Sequence, residues 1–279
     1  MRKRGKVKIV LVIPSDFSEN LSLQKKANLQ MIVDGTDINL GNQISNYLQN
    51  IIVDFYKNKA KNSIQSYNVT PEIRMLYNPQ LKGAPNFVPG VMALILLIVC
   101  VMMTAIAIVK EKETGTMEIL LVSPMKPSFV IIAKAVPYFI LSMLIVLVIL
   151  ILSYFLLDLP IKGSLILLLF VSTIFILTNL LIGILISIFV KTQQQAMFTV
   201  FFFLMIFNLM SGLFTPVESM PIWAQKMTNL NPLRQLIEVI RLIILKNAGF
   251  MNLLPQFFSI LAMAIVFNSW AIWNYRKTS

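Results

Sequence analysis

Hydrophobic residues are concentrated in long runs over the last two thirds of the chain. A helix that crosses a bilayer needs ~20 mostly apolar residues, because each residue adds only ~1.5 Å of length. Five stretches meet this requirement, and none of them contains Asp, Glu, Lys, Arg or His. The pattern therefore predicts five transmembrane helices, which run from Val88 to Val109, Ala135 to Leu157, Gly163 to Val190, Ala196 to about Phe214, and about Leu253 to Tyr275.

Residues 1–87 have a different pattern, that of a small α/β domain. Lys6 to Ile13, Leu29 to Val33 and Pro71 to Leu76 have the composition of strands. Asp37 is an expected helix N-cap for a helix from Ile38 to about Lys61. We therefore predict a membrane α-helical bundle over residues 88–279, preceded by a small, partial α/β domain over residues 1–87.

Composition supports a membrane protein and excludes several kinds of site. The chain is 57% hydrophobic and only 13% charged, whereas about a quarter of residues are charged in an average soluble domain. One cysteine and no histidine exclude a disulfide within the chain and the usual thiolate or imidazole metal sites. We expect no metal and no cofactor in this chain. The net charge of +12 includes basic residues that flank the apolar runs, which favours lipid headgroups over nucleic acid as the partner.

Two polar segments interrupt the apolar runs. In residues 110–134, a charged turn from Lys110 to Glu113 precedes a short amphipathic helix that Pro124 ends, and Pro127 begins the next helix. By periodicity alone, this segment resembles a loop that lies on headgroups. Residues 215–252 contain three prolines and an amphipathic helix, Leu233 to Arg241, with Arg234, Glu238 and Arg241 expected on one face. We interpret this second segment as an interfacial or re-entrant hairpin.

The distribution of Lys and Arg predicts an orientation. Segments 110–134, 191–195 and 276–279 carry seven basic residues, against five in the two links on the opposite side, which favours the first set in the cytoplasm. Residues 1–87 are then extracytoplasmic and the C-terminus is cytoplasmic. Since no apolar segment precedes residues 1–87 in this sequence, we expect a further, upstream helix in the whole protein.

Several motifs together resemble the type 2 permeases of ABC exporters. The sequence EKETGTME from Glu111, followed by LVSP ending at Pro124, is similar to the signature of that family. LFTPVESMP from Leu213 and NPL from Asn231 look like its loop before the last span, and VDGTD from Val33 looks like part of its extracytoplasmic domain. Members of the family begin with one more transmembrane helix than the five predicted here.

The resemblance implies roles for two sets of residues. Those expected to couple the permease to an ATPase subunit are Glu111, Lys112, Glu113, Thr114, Gly115, Thr116, Met117, Glu118, Leu121, Ser123 and Pro124. The acidic and basic members are expected to pair with charges on the ATPase. Those expected in the re-entrant segment are Pro216, Glu218, Pro221, Asn231, Pro232, Arg234 and Glu238.

The resemblance also implies partners: an ABC ATPase subunit that holds ATP and Mg²⁺, a second permease subunit, and membrane lipids. In agreement, the sequence contains no G-x-x-x-x-G-K-[ST] phosphate-binding loop, and no predicted span carries the ionisable group that an ion-driven pump requires. The expected cargo is an amphipathic, drug-like or lipid-like molecule, and the expected location is a bacterial-type inner or plasma membrane. A truncated chain, a non-transporting anchor and a passive channel remain as alternatives.

Overall fold

The computed structural model describes residues 7–23, 26–61, 68–78, 83–116 and 127–278. The chain divides into two compact units, Met1–Asn86 and Phe87–Ser279.

The described residues of the first unit form three strands and two helices. In chain order they are β1 (Ile9–Val12), α1 (Phe17–Leu23), β2 (Lys26–Asp34), α2 (Ile38–Lys61) and β3 (Asn68–Leu76). The strand order is β1-β2-β3, in which β1 is antiparallel and β3 is parallel to the central β2. The parallel pair requires a crossover, which α2 provides. The predicted strands and the predicted long helix are thus present, while α1 was not foreseen.

One face of β2 forms the core of this unit. Leu29 and Met31 pack with Ile52 of α2. The start of α2 is fixed by Asp37, whose Oδ1 accepts a hydrogen bond of 3.2 Å from the Leu40 N–H. The predicted N-cap at Asp37 is confirmed, because this side chain satisfies one of the amide groups that a helix leaves unpaired at its start.

The second unit is helical. Its helices in chain order are α3 (Ala84–Glu113), α4 (Pro127–Leu157), α5 (Leu165–Phe189), α6 (Gln193–Leu209), α7 (Ile222–Thr228), α8 (Pro232–Lys246) and α9 (Phe250–Thr278).

Within the described ranges, four of these helices are long and apolar enough to cross a membrane: α3, α4, α5 and α9. The remaining predicted span, Ala196 to about Phe214, corresponds to α6. This helix is apolar but has 17 residues, about 26 Å at 1.5 Å per residue, against a hydrocarbon thickness of ~30 Å. The chain is thus a multi-pass helical bundle, while the count of five spans is not confirmed.

The long helices continue past the apolar runs from which they were predicted. Pro127 begins α4, as predicted. The apolar run that begins at Ala135 had placed Pro137 near the start of its helix, but Pro137 lies ten residues inside α4. The charged turn predicted at Lys110 to Glu113 is helical and forms the last turn of α3. At 30 and 31 residues, α3 and α4 are each about 45 Å long, so their polar ends extend beyond a ~30 Å hydrocarbon layer.

Helices α3 and α5 approach each other closely at a small residue. A Cβ atom added to Gly183 would lie 2.7 Å from the Val101 carbonyl oxygen and 3.0 Å from the Thr104 Cβ. At this level α3 widens into a π-helical turn, Ile98–Met103. Asn179, Gly183 and Ser187 are all buried on α5. The small-residue stripe seen in the sequence therefore includes a helix–helix contact at Gly183, as is common in membrane bundles.

The most buried helix of this unit is α8. Thirteen of its 15 residues are buried, and the exceptions are Arg234 and Glu238. Leu233, Leu236, Ile237, Ile240 and Ile243 are among the largest fully buried side chains of the residues that the structure describes.

Candidate functional site

The charged end of the bundle is the end at which α3 and α5 terminate and α4 and α6 begin. Three consecutive residues in the last turn of α3, Glu111, Lys112 and Glu113, each contact a different neighbouring helix there. Successive helical residues point about 100° apart, so three neighbours in a row can reach three helices that surround α3.

Glu111 joins α3 to α4. Its Oε1 accepts a hydrogen bond from Lys134 Nζ at 2.5 Å, which makes a salt bridge. Its Oε2 accepts a hydrogen bond from the Thr116 hydroxyl. Both carboxylate oxygens are therefore used, one by the adjacent helix and one by the segment that leaves α3.

Lys112 and Glu113 join α3 to α5 and α6. Lys112 is half-buried, and its ammonium donates to the carbonyl oxygen of Ser187 near the end of α5. That carbonyl is one of the last four of the helix, which have no partner within the helix. Glu113 Oε2 accepts from the Gln193 backbone N–H at 2.9 Å and from Gln193 Nε2 at 3.0 Å, at the first residue of α6. Each charge thus has the sign that the adjacent helix terminus favours.

The chain leaves α3 through a tight turn. The Thr114 N–H and hydroxyl both donate to the Lys110 carbonyl oxygen, at 3.0 and 2.9 Å. Gly115 then has φ = +74°, a left-handed conformation that costs a glycine little and closes the helix. An added Cβ at Gly115 would meet no atom within 4 Å. The requirement for glycine there is therefore one of backbone conformation and not of space.

The opposite end of the bundle, the hairpin end, is where α6 terminates and α5 begins. Asn231 caps α8: its Oδ1 accepts from the Leu233 N–H at 3.0 Å, and its Nδ2 donates to the Phe207 carbonyl oxygen of α6 at 2.7 Å. At the other terminus of α8, the Lys162 N–H donates to the Ile244 carbonyl oxygen at 3.2 Å. Both termini of α8 meet the hairpin end, so α8 does not cross to the charged end.

A polar network holds α7 and α8 together. Arg234 Nε donates to Glu238 Oε1 at 3.1 Å, and its guanidinium also donates to Asn229 Oδ1 at 2.9 Å and to the Thr228 hydroxyl. Glu238 Oε2 in turn accepts from Gln256 Nε2 of α9 at 3.2 Å. The hairpin is therefore fixed by side-chain bonds to the helices on both sides of it.

Comparison with known proteins identifies the family. The profile of the family described as "ABC-2 family transporter protein" matches residues 2–273, nearly the whole chain. The chain belongs to the ABC-2 transporter family.

Curated relatives of this ABC-2 protein are permeases. It is 35% identical over 244 residues to the probable multidrug ABC transporter permease YbhR of Escherichia coli K12, an alignment that covers 88% of this chain and 66% of YbhR. It is 30% identical over 285 residues to the inner membrane transport permease YhhJ of the same strain, with 98% of this chain and 74% of YhhJ covered. The chain thus spans just under two thirds of the length of YbhR.

The residues expected to couple the ABC-2 chain to an ATPase fall into two groups. Glu111, Lys112 and Glu113 have partners inside the chain, and the expectation that they pair with charges on an ATPase stays a prediction. Thr114, Gly115 and Thr116 form the exposed turn that follows. Met117, Glu118, Leu121, Ser123 and Pro124, with the short amphipathic helix predicted there, lie outside the described residues.

The residues expected in the re-entrant segment of the ABC-2 chain lie at element boundaries or in α8. Pro216 precedes a 3₁₀ turn that contains Glu218, and Pro221 precedes α7. Pro232 occupies the first turn of α8, where a missing N–H costs little. Arg234 and Glu238 share a face, as predicted. Arg241, expected on the same face, is buried. The interpretation of residues 215–252 as an interfacial or re-entrant hairpin stays a prediction.

Sequence reasoning missed the partners of the charged turn, which are Lys134, Ser187 and Gln193. Lys134 falls in the segment 110–134, but nothing in its surroundings indicates the helix it contacts. The Ser187 contact uses a backbone carbonyl, which carries no sequence signal. Gln193 follows Thr192, whose hydroxyl accepts from the Gln195 N–H at 3.2 Å and caps α6. That N-cap could have been recognised as an anion-favouring helix start.

Proposed function

We propose that this chain is the integral membrane permease subunit of an ABC exporter, driven by ATP hydrolysis on a separate ATPase subunit. Membership of the ABC-2 family supports the class of protein, and relatives whose names describe ABC transporter permeases support the role. We propose that the coupling region comprises the turn Thr114 to Thr116 and the segment up to Pro124, which would contact the ATPase.

The observation that carries this proposal is the connection of the last turn of α3 to three other helices. A displacement of the segment that follows Glu113 would reach α4 through Lys134, α5 through Ser187 and α6 through Gln193. A soluble ATPase can rearrange a membrane bundle only through a stiff element joined to several helices. A loop that only lies on headgroups would not require three side chains of one helical turn to bond to three different helices.

The remaining features of the proposal concern assembly and cargo. We propose a second permease subunit, because few helices per chain cannot easily enclose a wide pathway. ATP and Mg²⁺ would be held by the ATPase, and none in this chain. We propose an inner or plasma membrane location with residues 1–87 extracytoplasmic and the C-terminus cytoplasmic. The apolar spans favour an amphipathic, drug-like or lipid-like cargo, and two relatives are named probable multidrug permeases.

The proposal is tested in proteoliposomes that contain the full chain with and without a P-loop ATPase encoded beside it. The measurement is accumulation of a fluorescent amphipathic cation against its gradient. We expect accumulation only with ATP, the permease and an ATPase whose P-loop lysine is intact. Accumulation by the permease alone, or equal accumulation with the P-loop lysine variant, would overturn the proposal.

A further inference from the structure

The surface formed by α7 has an unusual distribution of polar and apolar side chains. Ala224 and Thr228, spaced i and i+4 on α7, are buried, and so is Asn231 just after the helix. The Thr228 hydroxyl donates to the Gln225 carbonyl oxygen at 2.8 Å and accepts from Arg234, so the hydrogen-bonding groups point inward. The side of α7 that packs against the protein is therefore its small and polar side.

The outward side of α7 is apolar and bulky. Ile222, Trp223 and Met227 of α7 are exposed by 74%, 67% and 55%, and Leu230, two residues after the helix, by 67%. Exposed bulky apolar residues also occur along α4 and α6, but these four lie on the hairpin, next to exposed polar side chains. We name these four residues the Trp223 patch.

The polar surroundings of the patch restrict what can cover it. Lys226 is exposed among the four apolar residues, and Glu218 and Asn229 are exposed on the same hairpin. Charged and amide groups are costly in the hydrocarbon layer, while four bulky apolar side chains are unfavourable in water. A region that accepts both is the boundary between lipid headgroups and acyl chains, where tryptophan is enriched.

The position of the patch agrees with this depth. The hairpin carries it at the end of the bundle where α6 terminates, and Asn231, three residues after Thr228, is bonded to α6 at Phe207. The backbone of α7 is held by Gln225, whose Nε2 donates to the carbonyl oxygens of Glu218 at 3.3 Å and Met220 at 2.8 Å. The patch is therefore presented on a fixed support, at the level where the transmembrane helices end.

We propose that the Trp223 patch binds the lipid surface at the hairpin end of the bundle, with the apolar side chains inserted at headgroup depth and Lys226 facing the lipid phosphates. This surface goes beyond the proposed transport function and does not rest on it. In this proposal α7 contacts the lipid surface. The helix α8 is buried in the bundle and holds the end of α7 through Arg234.

The test measures the depth of Trp223 in vesicles. The chain contains three tryptophans, so Trp270→Phe and Trp273→Phe leave Trp223 as the single tryptophan, which is excited selectively over tyrosine at long wavelength. The full-length variant is reconstituted in phosphatidylcholine, with or without phosphatidylglycerol, in which bromine is placed either near the headgroups or near the bilayer centre. A matched control carries Trp223→Phe and Leu144→Trp in the same background, because Leu144 is an exposed residue far from either end of α4.

We expect quenching of Trp223 to be at least about twofold stronger from the headgroup-side bromine than from the central bromine, and the reverse for the control. Lys226→Glu should weaken quenching in vesicles with phosphatidylglycerol more than in those without it. If the double variant does not fold, the difference between the unmodified chain and Trp223→Phe gives the same measurement.

Two outcomes would overturn the proposal. Strong quenching by aqueous acrylamide, with none by either brominated lipid, would place Trp223 in water. Protection from both quenchers would mean that protein covers the patch, and cross-linking of a Trp223→Cys variant to itself would then identify the cover as a second copy of this chain.

Discussion

Reversing the charge of Glu111 should uncouple ATP hydrolysis from transport. In the structure, Glu111 Oε1 and Lys134 Nζ are 2.5 Å apart, and the two side chains are 23% and 37% exposed. A pair that is this accessible to solvent contributes about 0.5–1 kcal/mol. Glu111→Lys removes that attraction and substitutes a repulsion of similar size, so the junction between α3 and α4 should lose about 1–2 kcal/mol.

That loss can be converted into an expected effect on coupling. In one state of the junction Glu111 and Lys134 are paired, and in the other they are separated. A change of about 1–2 kcal/mol alters the ratio of these two states by a factor of about 5–30. The amount of cargo moved per ATP hydrolysed should fall by up to that factor, provided that the junction must hold while the ATPase moves. Hydrolysis itself should change little, because the proposed function assigns it to a separate ATPase subunit.

The assay measures cargo accumulation and phosphate release in the same proteoliposomes, for a complete double-mutant cycle. Glu111→Lys with Lys134→Glu recreates the pair in reverse and should recover most of the coupling. Glu218→Lys, a charge reversal at an exposed position of the hairpin, is the matched control and should leave coupling unchanged. Coupling that stays normal in both single variants, or a double variant no better than Glu111→Lys, would refute the reasoning.

Two further predictions concern stability, measured as unfolding of the purified chain in detergent. Gly183→Val should destabilise the chain by about 1–3 kcal/mol, since a Cβ there would lie 2.7 Å from the Val101 carbonyl oxygen, whereas Gly249→Ala, with no atom within 4 Å of the added Cβ, should be nearly neutral. Asn231→Ala should cost about 0.5–2 kcal/mol because α8 loses its cap. Asn231→Asp should also destabilise the chain although it keeps the capping oxygen, because it places a buried carboxylate oxygen against the Phe207 carbonyl oxygen that Nδ2 now contacts at 2.7 Å.

The sequence predicted the helices well because each apolar run is long and bounded by charge or proline. Pro127 begins α4, Asp37 caps α2, and Pro232 occupies the first turn of α8. These are local signals, which depend on the residue and its nearest neighbours in the chain. The helix ends were less predictable, since the apolar run reports the hydrocarbon layer while the helical hydrogen bonds continue through the charged turn to Glu113.

The partners of the candidate site could not be predicted in the same way. The charges of Glu111, Lys112 and Glu113 are visible in the sequence, but Lys134, Ser187 and Gln193 lie 23, 75 and 80 residues away. Which helix each charge meets depends on how α4, α5 and α6 are arranged around α3, and that arrangement depends on packing between distant segments.

The hairpin illustrates why amphipathicity alone does not determine exposure. The pattern of α8, with Arg234 and Glu238 on one face, is the pattern of a surface helix. Only these two residues escape burial, however, and the other thirteen are buried. Arg234 and Glu238 form a salt bridge of 3.1 Å with each other, so the two charges that are not buried are paired. The helix α7 has seven residues, too few for a periodicity signal. It nevertheless exposes more apolar surface than α8, whose apolar side chains are all buried. The surroundings of a membrane protein include lipid, so an apolar helix face that is exposed to lipid, as in α7, is favourable. An amphipathic helix that is buried with its charges paired, as in α8, is favourable as well. Exposure in this hairpin therefore follows from which helix the bundle surrounds, α8, and which it leaves at its edge, α7.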